Sequence, residues 1–177
     1  MNFWGHLRTV CRHRALVRKY CFRLGLYWQG LTHDLSKFSP VEFWAGVKYF
    51  QGDHSPNDAQ RRTYGYSAAW LHHKGRNRHH FEYWTDYSLK GEGVVGVAMP
   101  KKYLAEMFCD RLAASRVYRG KDFRLSDPYQ FFQRSIQKRI LISPETAAEL
   151  EVMLVKLRDE GEDAAFDYIR KEVLGKG

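Results

Sequence analysis

A histidine and an aspartate stand side by side at His33-Asp34, and further residues of the same two types are spaced around them along the chain. His13 lies upstream; His72-His73, His79-His80 and Asp110 lie downstream. Imidazole nitrogen and carboxylate oxygen together suit divalent first-row transition metals such as Mn, Fe, Co, Ni or Zn. The candidate ligands are His13, His33, Asp34, Asp110 and one or two of His72, His73, His79 and His80, enough for one or two ions. A bound ion of this kind lowers the pKa of a coordinated water and yields a hydroxide near neutral pH. One helix cannot surround an ion, and these residues are spread over four segments.

The elements that carry them follow from periodicity. From Asn2 to Leu24, apolar residues Phe3, Leu7, Val10, Val17, Cys21 and Leu24 recur at helical spacing, and His13 falls on the same stripe. Ser39, Pro40 and Glu42 form an N-cap, first-turn proline and capping box for a helix bearing Phe43, Trp44, Val47 and Phe50. A polar loop over 52–62 is expected next, then a helix near Tyr64–Lys74 with Tyr66, Ala69, Trp70 and His73 on one face. That face makes His73 the inward member of its pair. Pro100 to Arg119 reads as a helix with a stripe of Tyr103, Met107, Ala114 and Val117 and with Asp110 in its middle. Further helices are expected near Pro128–Ile140, from Ser143-Pro144-Glu145 to Gly161, and from Glu162 to Leu174. The run Gly91–Met99 reads as a loop or short extended piece. The expectation is an all-α single compact domain over 1–177, with a metal-site core at about 11–120 and C-terminal helices over 128–175. An unpaired carboxylate on a buried face costs several kcal/mol, so Asp110 needs a cation. A single core histidine is ordinary; two inward polar positions beside a His-Asp pair are not.

The order His13, then His33-Asp34, then Asp110 resembles the H…HD…D pattern of the HD-domain superfamily of metal-dependent phosphohydrolases. The chain also looks like a DUF5662-like family of bacterial and phage proteins of unknown function, through HDLSKFSP at His33–Pro40, AWLHHKGRNRHH at Ala69–His80 and EMFCDR at Glu106–Arg111. The HD resemblance implies an all-α fold of HD-domain type with metal ligands His13, His33, Asp34 and Asp110. It implies further ligands among His73, His79 and His80 for a second ion. It also implies that Asp34 and Lys37 serve catalysis, Lys37 by steadying a substrate phosphate. The two histidine pairs here are closer together than in HD members that hold two metals. The reaction implied is hydrolysis of a phosphorylated small molecule, with a nucleotide as one possibility. Lys37, Arg76, Arg78 and Arg111 are the candidates for holding its charged oxygens. HD-like scaffolds also host di-iron oxygenases and other redox enzymes, which stays an alternative.

Charge points the same way. Residues 1–90 hold 14 Lys/Arg against 6 Asp/Glu, whereas residues 91–177 hold 15 against 14. A basic surround for a histidine cluster suits an anionic small-molecule substrate; solubility and a non-catalytic nucleic-acid-binding role are the other readings of that charge. Three cysteines, Cys11, Cys21 and Cys109, without CxxC spacing, exclude a disulfide scaffold and a zinc ribbon. Together with the lack of a membrane-spanning run they lead to the expectation of a cytoplasmic protein. The aromatic stretches Phe81–Trp84 and Tyr129–Phe132 are read as core, and the sequence leaves the oligomeric state open.

Overall fold

Helix α1 (Phe3–Arg23) opens with Asn2, whose side chain accepts from the Gly5 N–H, and it buries Val10, His13, Val17, Tyr20 and Cys21. The computed structural model describes residues 1–52, 55–138 and 140–176. After α1 come α2 (Tyr27–Thr32), a 3-10 turn at Leu35–Phe38, and α3 (Pro40–Lys48). Then follow α4 (Pro56–Tyr64), α5 (Ala68–Lys74) and a 3-10 turn at Phe81–Tyr83. A hairpin of β1 (Thr85–Tyr87) and β2 (Val94–Gly96) leads to α6 (Lys101–Arg119), α7 (Asp127–Ile136) and α8 (Pro144–Tyr168). The chain is therefore mostly helical and forms one domain.

The core lies where α1, α6 and α8 meet. Val17, Cys21 and Leu24 pack with Leu104, Phe108 and Leu112 and with Leu150, Leu154 and Leu157, all of them at or near complete burial. Each large apolar side chain so buried contributes roughly 1.5–3 kcal/mol. That sum is what lets the domain carry a cluster of buried polar groups beside the middle turns of α1 and α6. Among the described residues no helix is long and apolar enough to cross a membrane.

Several elements differ from the sequence reading. The stretch expected as a polar loop over 52–62 contains α4, capped by Ser55 with Pro56 in the first turn and closed by Gly65 in the left-handed region. α4 buries no residue fully, so no apolar period marks it. The following helix is shorter than expected: it begins at Ala68 behind the Ser67 cap, which leaves Tyr66 outside it and exposed. On α3, Trp44 faces solvent and Val47 faces in. On α6 the buried apolar residues are Leu104, Ala105, Met107, Phe108, Cys109, Leu112 and Ala113, while Tyr103, Ala114 and Val117 are only partly covered. The two helices expected on either side of Gly161 are both present: α8 breaks at Gly161, which takes φ +90, a conformation that a residue with a Cβ rarely adopts. The glycine-valine run does supply an extended piece, pairing Thr85 with Gly96, Asp86 with Val95 and Tyr87 with Val94. Gly96 is required there, since a Cβ would collide with the backbone at Ile142–Ser143.

Candidate metal centre

Five segments converge at the polar end of the core. α1 brings His13, α6 brings Glu106 and Asp110, and α5 brings His73. The turn after α5 brings His79 and His80. His33 caps the end of α2, and Asp34 follows with φ 55, the sole non-glycine residue with positive φ among those described. That strained backbone, of order 1–3 kcal/mol, lets α2 stop and the next turn begin while the Asp34 side chain stays fully buried.

Asp34 sits between two sets of ligand atoms. Its Oδ2 lies 3.3 Å from His33 Nε2 and 3.5 Å from His13 Nε2, and His13 Nε2 lies 2.9 Å from Asp110 Oδ1. Its Oδ1 lies 3.2 Å from His73 Nε2 and 3.4 Å from His79 Nε2, and His73 Nε2 lies 2.9 Å from His80 Nε2. The ligand atoms of His13, His33, Asp34 and Asp110 all fall within 4.8 Å of one another, and so do those of Asp34, His73, His79 and His80. All the ring nitrogens that face inward are Nε2. His72 lies outside both sets and makes a different contact, described next.

Two carboxylates behind the rings were not picked out from the sequence. Glu106 Oε1 is 2.9 Å from His33 Nδ1 and 3.1 Å from His79 Nδ1. Glu42 places one oxygen 2.7 Å from His73 Nδ1 and the other 2.7 Å from His72 Nδ1. A carboxylate accepting from Nδ1 fixes the tautomer and leaves Nε2 free to ligate. Only the Ser39 half of the expected capping box forms: its oxygen accepts from the Glu42 N–H, and the Glu42 side chain turns instead to the histidines. Glu106 had a visible signal, since it stands one helical turn before Asp110 and so shares its face. Asn77 steadies the intervening turn by donating to the His73 carbonyl and to Ser36 Oγ, 2.8 Å each.

The residues present fit a cation. Asp34 Oδ1 and His79 Nε2 are buried without a hydrogen-bond partner, and both point into the second set. An orphaned buried acceptor is costly unless something fills the gap. With neutral imidazoles, Asp34, Glu42, Glu106 and Asp110 leave the end of the core strongly anionic, and Lys37 is the nearest lysine. Burial opposes ionisation of Asp34, yet His33, Lys37 and His73 hold its carboxyl well below the usual range. Asp110 is likewise held low against its burial by His13 and His33. Burial opposes a charge on His79 too, as does His33, but the neighbouring carboxylates of Asp34 and Glu106 raise it to about 9. His80 is pushed well below the ordinary imidazole value by burial, His79 and His73, and stays a neutral ligand. Protons on His33, His73 and His79 thus stand where a metal would compete with them.

The candidate substrate groups divide. Lys37 Nζ is 2.5 Å from Asp34 Oδ2 and lines a cavity of about 250 Å³ together with His13, His73, His80 and Asp110. Arg111 lines an adjoining cavity of about 570 Å³ that shares His80, Asp110, Trp70 and Tyr118 with the first. Arg76 and Arg78 are not brought to either cavity. Both are exposed, Arg76 bonded to the His72 carbonyl and Arg78 to the Tyr103 hydroxyl. They sit on the outer side of the turn whose inner side carries His79.

The family model described as a family of unknown function, DUF5662, matches residues 2–156. The chain belongs to that family. The match takes in all seven candidate ligand positions together with Glu42 and Glu106. No curated protein and no solved structure matches the chain.

Proposed function

We propose that this chain is a metal-dependent hydrolase of HD type that releases phosphate from a small phosphorylated substrate and holds two divalent transition-metal ions. The observation that carries the reading is Asp34, a fully buried carboxylate with one oxygen toward each of two histidine sets. With an ion in each set, Asp34 would help to hold both, and paired ions would suit in-line displacement at phosphorus. When bound, the ions supply an activated water and charge stabilisation at the phosphoryl oxygens. The chain's own residues supply the rest. Glu106 and Glu42 hold the rings so that Nε2 faces inward. Lys37, partly exposed beside the first set, offers an ammonium to a substrate phosphate. Arg111 extends positive charge into the larger cavity, and Trp70 and Phe131 give it apolar walls. The excess of cations over acids in the first 90 residues favours an anionic substrate approaching this end.

The test is elemental analysis of protein purified without a metal-affinity tag. It is followed by a screen of nucleotides and sugar phosphates for phosphate release, with oxygen uptake measured alongside. The expected result is near two equivalents of metal and metal-dependent phosphate release. Protein that binds no divalent ion would sink the reading. Iron with oxygen consumption, and no phosphate release from any substrate, would replace it with a redox enzyme.

A further inference from the structure

The segment from α2 to α3 turns apolar side chains outward. Trp28 and Leu31 on α2, Leu35 and Phe38 on the following turn, and Val41 and Trp44 on α3 are all exposed, and Trp28 reaches 72%. Within each element the pair is three residues apart, so each short helix presents one apolar edge. The α1 end joins this face: Trp4 is 72% exposed, and the Phe3 ring touches both Trp4 and Trp44, with centroids 5.1 and 6.2 Å apart. Isolated exposed apolar residues need no explanation, but six of them on three successive short elements mark a contact surface.

Charge selects the partner. The first 41 residues hold seven Lys/Arg and a single acidic residue, Asp34, which is buried in the metal centre. The outer side of α1 carries exposed Arg8, Arg12, Arg18 and Lys19, and none of these four has an ion-pair partner among the described residues. A two-fold contact would set the same cation-rich surface against itself, with no exposed acid on this segment of either copy to offset the repulsion. A nucleic acid would meet the cations, but Leu31, Leu35 and Val41 give it neither stacking nor hydrogen bonds. Exposed tryptophans and aliphatics on a segment whose exposed charges are all Lys/Arg match the boundary layer of an anionic bilayer, where indoles settle at headgroup depth and cations meet lipid phosphates.

We infer that the α1–α3 face is a peripheral docking surface for anionic lipid bilayers. It binds vesicles containing phosphatidylglycerol and does not bind phosphatidylcholine alone. The experiment is co-sedimentation of the full chain with both vesicle types. Two variants sit at solvent-exposed positions that leave the core untouched: Trp28→Glu/Leu31→Glu and Arg8→Glu/Arg18→Glu. Wild-type protein should sediment with anionic vesicles only, and less so as salt rises. The first variant should abolish sedimentation. The second should weaken it at least roughly fivefold for each cation removed. No sedimentation of the wild type with anionic vesicles would overturn the inference, and so would sedimentation that neither variant changes. A wild-type dimer dissolved by Trp28→Glu/Leu31→Glu, without vesicle binding, would assign the face to a second copy. RNA binding lost in the same variant, again without vesicle binding, would assign it to nucleic acid.

Discussion

The two candidate ligand sets around Asp34 are built in opposite ways. His13, His33 and Asp110 come from three elements far apart in the chain, two of them the long helices α1 and α6 that pack along each other through the core. His73, His79 and His80 lie within eight consecutive residues, on the seven-residue helix α5 and the turn after it. The first set is therefore as rigid as the core: moving His13 relative to Asp110 means sliding α1 against α6. The second depends on local devices, the Ser67 cap, the Asn77 hydrogen bonds and the Glu42 contact with His73. Two side chains link the sets. Asp34 gives each one oxygen, and Glu106 holds one ring of each. If both sets hold ions, sites with different mechanical support should fail separately when a residue that serves only one of them is removed.

Removal of the shared carboxylate should have the largest effect. Asp34→Ala is expected to abolish metal binding at both sets, and Asp34→Asn to do nearly the same while keeping the shape of the side chain. Metal content by elemental analysis checks it, together with the loss of stabilisation on adding metal in a thermal melt. If either variant kept a full complement of metal, Asp34 would not be the bridge.

Glu106 comes next. Its oxygen accepts from Nδ1 of His33 and of His79, so Glu106→Ala should weaken both sites by about 10–100-fold, the usual cost of losing an orienting carboxylate. A titration with one metal should show both steps shifted. A shift in one step alone would mean that the two sets are not joined through Glu106.

The residues that carried the site were legible from the sequence because burial and ligand chemistry leave separate marks. His13 and Asp110 showed as polar interruptions of apolar stripes, and the structure brings their side chains within 2.9 Å. His73 was legible as the inward member of its pair, and it is buried where His72 is not. What escaped was whatever acts through a second residue. Glu42 presented a capping-box position, and nothing in its spacing announced that its carboxylate would cross to α5. Arg76 and Arg78 share their segment with His79, but spacing within a turn does not tell which side chains point in, and these two point out. In the fold, α4 was hidden because a helix with no fully buried residue has no apolar period. Its Ser55, Pro56 and Gly65 punctuation was the only available signal. The left-handed backbone of Asp34 left no sequence mark at all.

Glu42 separates the two sets where Glu106 joins them. It touches His73 and no ligand of the first set. Glu42→Ala should weaken the second site by about tenfold and leave the first unchanged, so that one metal equivalent survives a chelator challenge that removes the other. Equal loss of both would show that the flexible set supports the rigid one, contrary to the mechanical argument above.

The smallest effect on metal binding, and the sharpest on function, is expected at Lys37. Its ammonium lies 2.5 Å from Asp34 Oδ2, the oxygen that faces the first set, and it is partly exposed to the cavity. A lysine that carries positive charge beside a metal site repels the ion slightly, so Lys37→Met should leave affinity at the first site equal or raised within about threefold, and the second site untouched. Loss of a charge-assisted contact to a phosphoryl oxygen costs about 1.5–3 kcal/mol, which corresponds to turnover lower by about 10–150-fold. Lys37→Arg should recover part of that turnover, because the charge returns on a side chain of similar reach. A fall in metal content equal to the fall in turnover would move Lys37 from the substrate to the support of Asp34. The asymmetry between the sets would then lie in the ligands alone.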